Sequence, residues 1–180
     1  DLNTVDEDAL GYVSRFADKL CTVQLDSGAF PGWIEPDGLM ADELREGPES
    51  AMAVTLLLHL YRRHPDRTDY RGAAEHALEY LVQGPGGERR WEDFETYFSC
   101  SSWGRDTHMG RKVARNGVYK QNTFSIFWCA EAFLAAWMVL GDRKYLNYGR
   151  RCLDELSLFQ QIWDPPFIPA PCHGGFGVMN

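Results

Sequence analysis

The chain has 180 residues, 44% hydrophobic and 24% charged, with 18 Lys and Arg against 26 Asp and Glu for a formal net charge of −8. That length predicts a single domain over 1–180, large enough to bury most of its apolar surface. The acidic balance excludes bulk attraction to nucleic acid or to an anionic membrane surface.

No run is read as reaching the roughly 18 apolar residues that span a bilayer, so no membrane partner is expected. Five cysteines (Cys21, Cys100, Cys129, Cys152, Cys172) without a CxxC spacing do not make a disulfide framework, although one or two bridges could form. The sequence starts at Asp1 without Met, which suits a soluble, processed and exported protein or an excised piece; the compartment stays open.

In chain order, the first predicted helix runs from about Glu7 to Val23, with Tyr12, Phe16, Leu20 and Val23 on its apolar face. Residues 28–38, Gly-Ala-Phe-Pro-Gly-Trp-Ile-Glu-Pro-Asp-Gly, are dense in turn formers and read as loop. Pro48 opens a second helix, with Glu49 near its positive end, and the helix continues to about His64. The short link His64–Thr68 makes the next helix, Asp69 to Val82, fold back antiparallel. A further pair follows, from about Phe124 to Leu140 and from Arg143 to about Ile162, with Gly141-Asp142 as stop and N-cap between them.

These helices repeat. Tyr70, Ala74, Ala77, Leu78 and Leu81 share their spacing with Tyr145, Gly149, Cys152, Leu153 and Leu156, 75 positions later. Helical hairpins too small to bury their own apolar stripes are thereby predicted to stack, with Tyr61, Leu78, Leu81, Trp137, Leu153 and Leu156 buried. Links within a pair are short, and links between pairs are about twenty and forty residues, so the long loops gather at one end of the stack. The fold class is therefore all-α, an αα-hairpin repeat.

Each second helix runs into a glutamine followed by a Gly-aromatic turn: Gln24…Gly28-Ala-Phe30, Gln83…Gly87…Trp91 and Gln161…Gly174-Gly-Phe176-Gly177. This pattern resembles the αα-toroid proteins, in particular the six-hairpin glycosidase-like superfamily, which includes glycoside hydrolases and uronate-acting lyases. The resemblance covers most of the chain. It implies an (α/α) toroid or part of one, an activity on carbohydrate, and further hairpins from the same parent chain or another chain, because a ring needs more pairs than this sequence supplies. The terpenoid-cyclase branch of the toroids would imply an Asp-x-Asp-Asp motif, which is absent.

The densest set of reactive groups lies between Trp91 and His108. Glycoside hydrolysis needs two carboxyl groups flanking the scissile bond, and Asp93, Glu95 and Asp106 can supply them. Asp93 and Glu95 alternate with Phe94, so from an extended segment both point the same way. Trp33, Tyr97 and Trp103 offer faces on which a sugar stacks, with Asp37 and His173 as further contacts. A second reading uses His108 or Tyr119 as the base of a uronate β-elimination, with Arg105, Arg115 and Asn116 neutralising the carboxylate. Five basic residues and one acid between Arg105 and Lys120 favour an anionic ligand there. The third reading is a noncatalytic helical-repeat binding module, or a toroid fragment without activity, whose loop carboxylates are merely solvated. The acids at Asp42, Glu43, Glu46 and Glu49 are read as helix-capping charges. No HExxH pattern, phosphate loop or Gly-x-Ser-x-Gly elbow is present, so no metal or cofactor is expected.

Overall fold

A computed structural model describes residues 6–36, 38, 44–96 and 110–177, apart from the side chain of Glu7. Among these residues the protein is all-helical: α1 (Glu7–Val23), α2 (Ser50–Arg63), α3 (Thr68–Gln83), the single turn α4 (Pro85–Glu88), α5 (Thr123–Leu140) and α6 (Arg143–Ser157). Isolated β-bridges join Trp91 to Gln121 and Gln160 to Phe176.

Local chemistry sets the helix ends. The Asp6 carboxylate accepts from the N–H groups of Asp8 and Ala9, and Asn122 Oδ1 accepts from Phe124 N–H at 2.9 Å. Gly141, at φ +78°, stops α5 in the left-handed conformation and donates to Trp137 O, and Asp142 then caps α6 through Lys144 N–H. The predicted extension of α6 to about residue 162 is not formed. The helix ends at Ser157, and the chain turns through residues 158–160 into the bridge with Phe176.

α2 packs on α3 and α5 on α6, each pair closed by a short link, while α2 also packs against α5 and α1 leans on both α2 and α3. The shared core contains Leu57, Leu58, Leu78, Leu81, Ile126 and Phe133. Two glutamines fasten the second-helix ends. Gln24 Nε2 donates to both Gly28 O and Ala73 O at 2.9 Å, tying α1 to α3, and Gln160 Nε2 donates to Gly174 O at 3.1 Å. Gly28 stands at φ +90°, and a Cβ there would lie 2.5 Å from His76 O, so this turn requires glycine.

α2 and α5 bury their faces in register. Glu49 and Asn122 each stand one residue before their helix, 73 positions apart. At that offset Ala53, Leu57 and Leu60 match Ile126, Ala130 and Phe133, all buried, and Phe133 stacks on Tyr145 of α6. The flanks are opposite. Ala51, Val54 and Leu58 are wholly buried, whereas their counterparts Phe124, Phe127 and Glu131 are exposed; Tyr61 is half-buried and Leu134 exposed. Conversely, Met52, His59 and Arg63 are exposed, and Ser125, Ala132 and Ala136 are buried. Burial thus covers the first flank of α2 and the second flank of α5, and the two helices pack on each other.

Several burial expectations need correction. Leu78 and Leu81 are buried and Tyr61 and Leu156 half-buried, but Trp137 and Leu153 are 38% and 53% exposed. An apolar stripe shows that a face wants cover, not that the cover is present. In α1 the packing face is Leu10, Val13, Ala17, Leu20 and Cys21, leaving Tyr12 and Phe16 outside. α5 also departs from the bilayer reading: with 18 residues and a mean hydropathy of 1.6 it is long and apolar enough to span a membrane, yet half of it is buried within the fold. The described cysteines Cys21, Cys129, Cys152 and Cys172 are free thiols, and burial pushes Cys152 up to about 12.

Candidate carboxylate site

The site forms where the first part of the long link returns against the start of α5. The Trp91–Gln121 bridge and the Asn122 N–H bond to Trp91 O (2.9 Å) lay residues 91–93 alongside the residues that open α5. Residues 94–96 are helical rather than extended, so the alternation expected for Asp93 and Glu95 does not apply. The two carboxylates nevertheless converge. Asn122 Nδ2 donates to Asp93 Oδ1 at 3.0 Å and to Glu95 Oε2 at 3.2 Å.

Asp93 is wholly buried and accepts four times: from Thr96 N–H and Thr96 Oγ1, from Asn122 Nδ2, and from Ser125 Oγ at 2.6 Å. Three of these bonds fall on Oδ1 and one on Oδ2, and together they hold the 94–96 turn against α5. Glu95 is half-buried, accepts from Asn122 Nδ2 and remains accessible.

Glu49 is the group that sequence reasoning missed. It stands immediately before α2, where its charge suits the helix dipole, but its side chain caps nothing in α2. Its Oε1 instead accepts from Phe94 N–H at 2.5 Å, and its carboxyl rests against Gly32 and Gly47. A Cβ on Gly47 would fall 2.1 Å from Glu49 Oε2, so a side chain there would evict the carboxyl. Burial, opposed by its own backbone N–H and reinforced by the charge of Asp93, pushes Glu49 up to about 7. Glu49 also lines a groove of about 330 Å³ between α1 and α2, walled by Phe16, Phe30, Met52 and Leu56.

Beside these carboxyls stands an aromatic stack. Trp128 lies nearly parallel to Phe124 (ring centroids 5.9 Å apart) and to Phe94 (6.5 Å). Phe124 is exposed while Phe94 and Trp128 are half-buried, so the stack offers a partly open apolar edge next to Glu95. The signal in the sequence was Phe94 beside Glu95, with Phe124 and Trp128 spaced i, i+4 at the start of α5.

Glu92 anchors the far side of the link. It is wholly buried, accepts from Gly110 N–H at 2.7 Å, and stands 3.8 Å from Lys120 Nζ and 3.6 Å from Arg90 Nε. Burial raises its carboxyl above the ordinary range, opposed by the Gly110 N–H and the two cations. Among the described residues no three His, Cys, Asp or Glu side chains form a metal-ligand set.

The remaining predicted site residues divide. Asp37, Tyr97, Trp103, Arg105, Asp106 and His108 lie outside the described residues. Trp33 is exposed on its loop, with its indole donating to Glu35 Oε1. His173 is exposed in a turn, where its backbone N–H donates to Asp164 Oδ1. Asn116 is exposed, and its Oδ1 accepts from Val118 N–H within its own turn. Tyr119 is half-buried under the Lys112 ammonium, at 5.3 Å, and lines a separate cavity of about 370 Å³ with Arg89, Lys112 and Gln121. Of the predicted set, Asp93 and Glu95 are thus brought together, joined by Glu49 and Asn122. The chain matches no protein-family model and no curated protein.

Proposed function

We propose that this chain carries the carboxylate centre of a carbohydrate-active enzyme built as part of an αα-toroid, acting on an oligo- or polysaccharide by general acid/base hydrolysis. The observation that carries this reading is the gathering of Glu49, Asp93 and Glu95 around residue 94, beside the Phe94–Trp128–Phe124 stack. Sugar rings present apolar C–H faces that stack on aromatic rings, and their hydroxyls and glycosidic oxygens need carboxyl partners.

In this reading Glu95 is the carboxyl group that faces substrate, fixed in direction by Asn122. Glu49, shared between protonated and ionised forms near neutral pH, holds the proton that a leaving sugar oxygen requires. Asp93 and Asn122 are positioning residues. Hairpins additional to α2–α3 and α5–α6 complete the cleft, and no nucleic acid or membrane takes part.

The test is hydrolysis of neutral and uronate-containing oligosaccharides, with Glu95→Gln compared against the wild type. A fall in kcat of about 10²–10⁴ is expected. Unchanged turnover in Glu95→Gln would remove its role. The Tyr119–Lys112 contact favours a lyase as the second reading, and unsaturated products absorbing in the ultraviolet, produced undiminished by Glu95→Gln, would select it.

A further inference from the structure

A cavity of about 420 Å³ opens between residues 82–91 and α6, a size that suits a small molecule. Trp91, Phe133 and Cys152 line it as buried side chains and Tyr148 as a half-buried one. Trp91 is 1% exposed, and its indole N–H has no hydrogen-bond partner. A buried donor in that state gains from any acceptor brought to it.

The rim of the cavity is charged. Arg89 ends α4 in the left-handed conformation, at φ +54°, and reaches across to donate to Glu155 Oε1 at 2.8 Å. That contact engages the acid which Arg151, four residues earlier on the same helix, would otherwise meet. Arg151 and Asp154 both line the cavity, are exposed and lie three residues apart on α6, yet neither forms an ion pair among the described residues. The rim thus offers one unengaged cation and one unengaged anion, a single helical turn apart, over an aromatic floor. A lone anion would meet Asp154 and a lone cation would meet Arg151. A neutral apolar molecule would use neither charge and leave the indole unpaired. A zwitterion with a ring and a ring-borne oxygen answers all three groups.

We propose that this cavity binds a free aromatic α-amino acid of the tyrosine type, its carboxylate on Arg151, its ammonium on Asp154, and its phenol oxygen accepting from the Trp91 indole. The Trp91 N–H is covered in the free protein, so the indole ring shifts as the phenol enters. The site shares no side chain with Glu49, Asp93, Glu95 or the Phe94–Trp128–Phe124 stack, and it stands whether or not the hydrolase reading does.

The test titrates L-tyrosine into the whole 180-residue chain by calorimetry and by NMR of the indole N–H groups, that of Trp91 assigned through its backbone. Saturable one-to-one binding with a shift of the Trp91 indole resonance is expected. Tyramine and 3-(4-hydroxyphenyl)propionate, each lacking one charge, should bind about tenfold more weakly, and phenylalanine about fivefold more weakly. Arg151→Gln should bring tyrosine down to the affinity of tyramine and leave tyramine unchanged. Asp154→Asn should bring it down to the affinity of the propionate and leave the propionate unchanged. Both positions are exposed, so neither change should move the melting temperature. Glu95→Gln should leave tyrosine binding as it is. No saturable binding, either single-charge analogue binding as tightly as tyrosine, indifference to both α6 variants, or a shift at another indole in place of Trp91 would overturn the proposal.

Discussion

Glu49 and Asn122 hold equivalent places, each one residue ahead of a core helix, and both close on the same turn: Glu49 accepts the N–H of Phe94, and Asn122 donates to Asp93. One residue type accepts and the other donates, so the two helix starts are locked from opposite hydrogen-bonding senses around residues 93–94. The fold and the candidate site are therefore one construction. Loosening the turn loosens both hairpins.

Asp93→Ala should be severely destabilising. It takes the acceptor from the Thr96 and Ser125 donors and leaves Asn122 with Glu95 alone, which costs roughly 3–5 kcal/mol by comparison with other broken buried networks. Urea unfolding measures it. Glu95→Gln, which keeps an acceptor for Asn122 at a half-buried position, should stay within about 1 kcal/mol of the wild type. Equal losses in both would mean that Asp93 is not the holding group.

Stability should fall between about pH 4.5 and 7 through Glu49. Its folded value of about 7 lies above the ordinary 4.5, so the folded state binds the proton more tightly and ionisation opposes folding. The contribution is complete below the unfolded value and is lost as pH rises through the folded one, about 3 kcal/mol over the window. Glu49→Gln should remove that slope and melt higher than the wild type at pH 8. The same slope persisting in the variant would assign it to another group.

Gly47→Ala should destabilise by about 1–3 kcal/mol, since the new methyl overlaps Glu49 Oε2. Glu49→Ala in the same chain should recover most of that loss, because the clash is with this one carboxyl. Additive losses in the double variant would place the strain elsewhere.

Phe124→Ala should separate binding from folding. Phe124 is 44% exposed, so unfolding should change little, whereas losing its place in the stack should weaken saccharide binding about 2- to 10-fold. Titration with an oligosaccharide that the wild type binds is the measurement, and unchanged affinity would remove the stack from the site.

Gln24→Ala should cost about 1–2 kcal/mol by releasing Gly28 O and Ala73 O together. Amide exchange should report the loosening at the α1–α3 contact first, ahead of the α5–α6 hairpin.

What the sequence made legible follows from which forces are local. The caps at Gly141 and Asp142, the start of α5 beside Asn122, and the hairpin pairs could be read because turn chemistry and helical period act over a few residues. Trp137 and Leu153 were misread because their burial depends on which helix lies alongside. Glu49 was overlooked for a related reason: a carboxylate before a helix has a sufficient local explanation in the dipole, and only the distant Phe94 N–H and the glycines at 32 and 47 reveal its burial. Asp93 and Glu95 were found as a pair, but their unequal roles arise from Asn122 and Ser125, some thirty residues away.

The neighbouring carboxylates Glu92 and Asp93 have a consequence for how this protein can change. Glu92 holds Gly110, and Asp93 holds Thr96 and Asn122, so both ends of the intervening stretch are moored to the scaffold independently of its sequence. Thr96 and Gly110 are thus held by different members of one buried pair, so replacing Asp93 frees the first and replacing Glu92 frees the second, and each attachment can be loosened while the other stays in place.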